Sequence, residues 1–264
     1  MSAALVVLLC RTSDRSAGGA LGAEALAPRL GRLMGVEPRY IGTPGEPRDS
    51  RYDEDLRDSR GCLLEAGGQV DDAFAAGRFP VLLASDCSIC MTTLPTVVRY
   101  FPGVRILWLD AHGDFNTPET TQSAFLGGMC LAEACGRWDG GLGAGDIDPA
   151  QVLTCGVRDL DAGERVELER AGVGVAEPEE VGELLDGESV YVHLDLDVLD
   201  PEIFPAKFPA PDGLSGEGLR ELLSDVAESA QIVGVEITAF NAPANERDSD
   251  RLTAMIESVV EPLL

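Results

Sequence analysis

The chain has 264 residues, of which 45% are hydrophobic, and this is enough for one large α/β domain with a substantial core. Its formal charge of -26, from 20 basic and 46 acidic side chains, disfavours nucleic acid and anionic membrane surfaces as partners. The N-terminal run 3–10 is apolar but has no basic residue before it, so it predicts a buried strand rather than a signal peptide. We expect a cytoplasmic protein that does not span a membrane.

Short apolar runs alternate with helix-compatible segments along the chain. The predicted strands lie near 4–10, 38–42, 80–84, 104–109, 151–156, 172–176, 189–196 and 232–238. The predicted helices lie near 19–35, 61–77, 92–100, 125–136, 163–171, 215–229 and 248–262. Several strands are apolar at nearly every position, as in parallel sheets covered by helices on both faces. We expect one domain over residues 1–264, with exposed loops at 43–58 and 136–148.

The seven cysteines stand at positions 10, 62, 87, 90, 130, 135 and 155. Their odd number, and the apolar segments around several of them, favour free thiols in a reducing compartment over a disulfide framework. Cys87 and Cys90 have CxxC spacing, but no second such pair completes a zinc ribbon.

Polar side chains follow three predicted strands at the points where those strands end. The segment Ser85-Asp86-Cys87-Ser88 follows the strand at 80–84, and Asp110, His112 and Asp114 follow the strand at 104–109. Asp195 and Asp197 lie at the end of the strand at 189–196. Ligands of parallel sheets bind at the carboxyl ends of the strands, so we expect these side chains to converge there.

This donor set is rich in oxygen, and the nearby thiol of Cys87 could join it. Carboxylates that bridge two ions, together with one imidazole, favour two Mn²⁺ ions, with Zn²⁺ or Fe²⁺ as alternatives. Two ions roughly 3.5 to 4 Å apart can share a water molecule and lower its pKa for attack on an electrophilic carbon. The set therefore predicts metal-assisted hydrolysis.

Four segments together carry a resemblance to a known family. They are SDCS at 85–88, LDAHGDFNTPETTQS at 109–123, GVRDLDAGE at 156–164 and HLDLDVLDP at 193–201. From about residue 80 onward the chain resembles the ureohydrolase family of arginases, agmatinases and formiminoglutamases. The resemblance implies an arginase-like three-layer α/β/α fold, a mostly parallel sheet of about eight strands and a binuclear manganese centre.

The resemblance also implies roles for individual residues. One metal ion would be held by Cys87, Asp110, Asp114 and Asp195, and the other by Asp110, His112, Asp195 and Asp197. Asp114 would also be the catalytic general acid and base. Asn116 and Ser123 match positions that bind the α-carboxylate of the substrate, while Asp161 and Glu164 match positions near its α-amino group. For His193 two interpretations remain open: it orients a metal ligand, or it is a core histidine with satisfied hydrogen bonds.

The chain departs from the family pattern at three positions. Cys87 replaces the usual metal-binding histidine and is either a thiolate ligand or a buried cysteine that binds nothing. Gly127 stands where arginases have a proton-shuttling histidine, and Ala239 where they have the glutamate that pairs with the guanidinium. Aligning Glu236 there instead would need a shift of three residues.

These departures indicate a substrate that is less basic than arginine. The guanidinium of arginine stays protonated, so loss of its carboxylate partner should weaken its binding severely. A hydroxylated guanidine is a weaker base and needs that carboxylate less. Our first candidate is Nω-hydroxy-L-arginine, hydrolysed to L-ornithine and hydroxyurea, as in a branch of the family that serves antibiotic biosynthesis.

Two other interpretations of the sequence stay open. The first is an ordinary ureohydrolase acting on arginine, a guanidino acid or formiminoglutamate. The second is a catalytically silent arginase-like subunit that acts by binding a partner. In either case the chain could form a homo-oligomer.

Overall fold

The computed structural model describes residues 2–143 and 147–264, and in these ranges it contains one eight-stranded sheet in which every pairing is parallel. The strands are β1 Ala3–Leu8, β2 Arg39–Ile41, β3 Phe79–Leu83, β4 Arg105–Leu109, β5 Val152–Cys155, β6 Gly174–Ala176, β7 Ser189–Asp195 and β8 Gln231–Thr238. Their order across the sheet is β2-β1-β3-β8-β7-β4-β5-β6. All eight predicted strands are confirmed, and the central ones are continuous apolar runs, as is typical of buried parallel strands.

Helices cover both faces of the sheet and complete the predicted three-layer α/β/α fold. They are α1 Gly18–Met34, α2 Tyr52–Ala75, α3 Cys90–Tyr100, α4 Cys130–Ala134, α5 Ala162–Ala171, α6 Val181–Leu184, α7 Gly216–Ser229 and α8 Glu246–Val260. The apolar residues of α1, α7 and α8 join one hydrophobic cluster, and those of α2, α3 and α4 join the other. None of the helices in the described ranges is both long and apolar enough to cross a bilayer.

Two predicted boundaries were wrong. Helix α2 begins at Tyr52, inside the segment that we expected to be a loop, and its buried Asp55 and Ser59 face the core. The acidic residues 53–55 are typical of a first helical turn, where they complement the helix dipole, but in sequence they resemble solvated charge. The predicted helix 125–136 is reduced to α4, preceded by a 3₁₀ turn over Gly127–Met129. Part of the predicted loop 136–148 lies outside the described residues.

The expectation that all cysteines are free was also wrong. Cys10, just after β1, and Cys62 of α2 form a disulfide with their Cα atoms 6.2 Å apart. Packing of α2 against the loop after β1 brings the two cysteines together over a sequence separation of 52. The spacing of cysteines along the sequence does not predict such a pairing. The other five cysteines are buried free thiols: Cys87, Cys90, Cys130, Cys135 and Cys155.

A buried ion pair joins the same two elements. The Arg11 guanidinium lies 2.7 Å from a carboxylate oxygen of Asp55, and the side chains are 6% and 0% exposed. Arg11 also donates to the Ser50 hydroxyl at 2.7 Å and to the Asp14 carbonyl at 3.0 Å. The guanidinium therefore fixes the loop after β1, which reaches the carboxyl edge of the sheet, against the start of α2.

Replacing Arg11 by methionine should lower the free energy of unfolding by about 3–5 kcal/mol, because Asp55 would be left buried without its partner. Urea denaturation of the disulfide-bonded protein measures this change. Arg57→Met is the matched control, since the Arg57 side chain is 69% exposed and its loss should cost less than about 0.5 kcal/mol. Equal losses in the two variants would contradict a structural role for the buried pair.

Candidate active site

A cavity of about 440 Å³ opens at the carboxyl edge of the sheet, as expected for a parallel α/β fold. Strands β4 and β7 are neighbours, and the pairing of Leu109 with Leu194 brings the polar residues that follow them together. Most of the predicted metal ligands line this cavity, namely Cys87, His112, Asp114, Asp195 and Asp197. Asp110 lies beneath them and is 1% exposed. The structure thus assembles all six predicted ligands in one place.

One donor group consists of Asp110, His112 and Asp197, each of which offers a ligand atom within 4.8 Å of the other two. Nδ1 of His112 lies 3.1 Å from an Asp197 oxygen and 3.4 Å from an Asp110 oxygen. Burial alone would lower the pKa of His112, but hydrogen bonds to these two carboxylates raise it to about 12. Burial opposes ionisation of Asp197 as well, yet the hydrogen bond from His112 holds its pKa below the usual value.

A second donor group consists of Cys87, Asp110 and His193, again with ligand atoms within 4.8 Å of one another. Asp110 thus belongs to both groups. The Cys87 thiol donates to an Asp195 oxygen at 2.8 Å and lies 3.1 Å from the Thr238 hydroxyl. Burial, reinforced by the charge of Asp195, raises the pKa of this thiol well above its ordinary value.

The carboxylates of the site repel one another electrostatically. Burial and the nearby Asp197 raise the pKa of Asp110 to about 6. Burial and neighbouring carboxylates likewise raise the pKa values of Asp114 and Asp195 well above the ordinary value. Oδ2 of Asp110 is buried and has no hydrogen-bond partner in the described part of the chain. A divalent cation would relieve this repulsion and satisfy that oxygen, so the residues fit a metal centre.

The four predicted substrate contacts line the same cavity: Asn116, Ser123, Asp161 and Glu164. Asp161 and Glu164 also form the capping box of α5, in which a Glu164 oxygen accepts from the Asp161 N–H at 3.2 Å. The other Glu164 oxygen accepts from the Phe115 N–H at 2.9 Å. Burial raises the pKa of Glu164 to about 7. The start of α5 is therefore held tightly against the loop that follows β4.

Besides Cys87, the other two positions that depart from the arginase-like pattern, Gly127 and Ala239, also line the cavity. A Cβ atom at Gly127 would lie 2.5 Å from the Phe125 ring and 3.3 Å from an Asp86 oxygen, so this conformation has no room for an imidazole. Ala239 adopts a left-handed backbone with φ 59° at the cavity wall. Glu236, three residues earlier, is fully buried and contacts His193 instead of the cavity.

Comparison with known proteins agrees with this geometry. The model of the arginase family matches residues 51–261. The chain belongs to the arginase family.

An N(omega)-hydroxy-L-arginine amidinohydrolase from Streptomyces lavendulae is 36% identical over 263 residues, covering 98% of this chain and 96% of that protein. An arginase from Bacillus caldovelox is 32% identical, covering 70% and 69% of the two chains. The crystal structure of Bacillus subtilis arginase superposes with a TM-score of 0.84 at 26% identity, covering 99% and 98%. Membership confirms the predicted fold and the class of enzyme, an arginase-family hydrolase.

Sequence reasoning missed several residues that line this cavity, most clearly Asp14, Arg15 and Phe208. The Ser13 hydroxyl donates to Asp86 at 2.6 Å and so joins the loop after β1 to the start of the 3₁₀ turn that carries Cys87. Asp14 lies six residues beyond the end of β1, and only the folding back of that loop brings it to the cavity. The strand-end rule applied to β1 was the one available signal.

Asp14 should make the metal-free protein less stable at neutral and alkaline pH. Burial and the charge of Asp86 raise its pKa from 3.8 to about 6. Above pH 6 the folded state carries a carboxylate that it disfavours relative to the unfolded state, whereas near pH 4 the carboxyl is protonated and this cost vanishes. We therefore expect Asp14→Asn to raise the free energy of unfolding by about 1–3 kcal/mol at pH 8. This gain should become smaller as the pH is lowered from 8 through 6 towards 4.

Urea denaturation in the presence of a chelator, at several pH values, measures this effect. Asp186→Asn is the matched control, because Asp186 is exposed and its substitution should leave the pH dependence unchanged. The same gain at every pH in Asp14→Asn would show that titration of the carboxyl is not the cause.

Proposed function

We propose that this arginase-family chain is a binuclear-metal hydrolase that cleaves the guanidine C–N bond of Nω-hydroxy-L-arginine, yielding L-ornithine and hydroxyurea. The observation that carries the proposal is the side chain at the cavity wall, where Ala239 offers a methyl group and no carboxylate. The 36% identity to a protein named as an N(omega)-hydroxy-L-arginine amidinohydrolase, over nearly the whole chain, supports the same substrate.

The charge of the substrate explains how the residue at position 239 would affect substrate preference. A guanidinium taken out of water needs a carboxylate partner, and the Ala239 methyl group cannot supply one. The hydroxyl group of a hydroxyguanidine withdraws electrons, so its neutral form is more accessible and binds at lower cost. Asp14 and Asp86 also line the cavity and leave hydrogen-bond acceptors for the N–H and O–H groups of such a substrate.

We propose two Mn²⁺ ions as cofactors. Cys87, Asp110, Asp114 and Asp195 would hold one of them, and Asp110, His112, Asp195 and Asp197 the other. When bound, the cations would supply Lewis-acid chemistry by lowering the pKa of a water molecule, which then attacks the guanidine carbon.

The chain's own side chains would orient the substrate and move its protons. Asn116 and Ser123 would bind the α-carboxylate, while Asp161 and Glu164 would bind the α-amino group. The Asp114 carboxylate would take a proton from the attacking water and return it to the δ-nitrogen as the bond from carbon to that nitrogen breaks. One water is consumed, the δ-nitrogen leaves as the amine of ornithine, and the carbon leaves as hydroxyurea.

The metal part of the proposal is tested by Asp110→Asn. Because Asp110 belongs to both donor groups, its loss should reduce the bound Mn²⁺ from about two ions per chain to below one. Elemental analysis after dialysis measures this content. Asp186→Asn is the control, since that side chain is exposed and does not line the cavity. Wild-type protein that retains no metal under these conditions would instead favour the silent subunit.

The substrate part is tested by comparing kcat/KM for Nω-hydroxy-L-arginine and L-arginine with Mn²⁺ supplied. We expect the hydroxylated substrate to be preferred. In Ala239→Glu the ratio should move toward arginine by about tenfold or more, because a hydrogen bond between charged groups contributes about 1.5–3 kcal/mol.

Ala239→Gln is the matched control, because glutamine has nearly the same size and no charge. It should leave the preference close to that of the wild type. Faster hydrolysis of arginine by the wild-type protein would refute the substrate assignment and leave an ordinary arginase. An unchanged ratio in Ala239→Glu would show that this wall does not select the substrate.

A further inference from the structure

His193 lies directly beneath the candidate metal centre, on β7 and two residues before Asp195. Its side chain is fully buried, and its ring stacks on Trp108 of β4 with centroids 3.6 Å apart and planes inclined by 1°. Nδ1 lies 2.6 Å from Oε1 of Glu236 on β8. The stacking fixes the plane of the imidazole, and the contact with Glu236 fixes its rotation within that plane.

The other ring nitrogen, Nε2, is buried and has no hydrogen-bond partner among the residues that the structure describes. Leaving a buried polar atom unpaired costs about 1–3 kcal/mol, and such atoms in native proteins often mark a bound ion or water. Oδ2 of Asp110 is unpaired in the same way. A ring nitrogen of His193, a carboxylate oxygen of Asp110 and the sulfur of Cys87 all lie within 4.8 Å of one another.

We infer that His193 is a direct metal ligand, through Nε2, of the ion held by Cys87 and Asp110. The inference rests on the proposed metal centre and adds to it a ligand outside the set that the arginase-like motifs imply. A carboxylate that accepts from Nδ1–H leaves the lone pair of Nε2 free, which is the usual arrangement of metal-bound histidines. Glu236 is then a positioning residue, whose Oε2 accepts from the hydroxyls of Thr93 at 2.6 Å and Tyr191 at 3.1 Å.

The distribution of imidazoles supports this assignment. The chain has only two histidines, and the two donor groups contain one each. His112 belongs to the group with Asp197, and His193 belongs to the group with Cys87. Arginases supply the second imidazole from the position of Cys87, whereas here strand β7 supplies it from below. Each ion thus keeps one imidazole although Cys87 replaces the usual histidine.

The test uses the full-length protein loaded with Co²⁺. Each histidine bound to Co²⁺ gives an exchangeable N–H resonance that the unpaired electrons shift far outside the normal proton NMR range. With two histidines in the chain, we expect two such resonances in the wild type and one in His193→Gln. His112→Gln is the matched control and should lose the other resonance.

A single shifted resonance in the wild type, absent from His112→Gln, would overturn the inference. The wild-type count decides the question even if His193→Gln fails to fold. If the wild-type protein binds no Co²⁺, the proposed metal centre itself is refuted. If it binds Co²⁺ but shows one imidazole resonance, only the role of His193 is refuted.

Glu236→Gln tests the positioning role separately. It changes the hydrogen bond at Nδ1, so the resonance of His193 should move while that of His112 stays in place. The dissociation constant of one of the two Mn²⁺ ions should rise by about 10–100-fold. An unchanged pair of resonances with unchanged Mn²⁺ binding would refute the role of Glu236.

Discussion

The mutual repulsion of buried carboxylates at one edge of a parallel sheet is the constraint on which the site depends. Asp110 directly follows β4, and Asp195 and Asp197 lie at the end of the neighbouring strand β7, so the register that builds the core also forces like charges together. Burial removes the water that would otherwise screen them, and this raises the pKa values of Asp110 and Asp195. The sheet can hold such a group only because its apolar strands are covered on both faces.

The sequence predicted the parts of the molecule that depend on local pattern. Short apolar runs alternating with helix-compatible segments marked the eight strands, and the polar residues at the ends of β3, β4 and β7 marked most members of the donor groups. It failed where packing between distant segments decides the outcome. The start of α2, the disulfide between Cys10 and Cys62, and the approach of Asp14 to the cavity all depend on how the loop after β1 folds back.

The mouth of the cavity differs from the arginase pattern in shape as well as in charge. Phe125 occupies the space beside Gly127 and lies 5.0 Å, between ring centroids, from Phe208. The Arg15 guanidinium lies 4.8 Å from the centroid of the Phe125 ring on another side. Position 127 thus carries no imidazole, and the Phe125 ring occupies the space that such a side chain would need.

Metal binding and folding should be strongly coupled in this arrangement. Without a cation, the folded state bears the full cost of several buried carboxylates, and the unfolded chain does not. Any ion that binds only the folded state therefore stabilises that state, because part of the binding free energy adds to the free energy of unfolding. The buried contacts of His193 with Trp108 and Glu236 extend this coupling into the core, because they connect β4, β7 and β8 directly beneath the donor groups. A change at Glu236 would then act on the ions through the imidazole that it holds, without any contact of its own to the cavity.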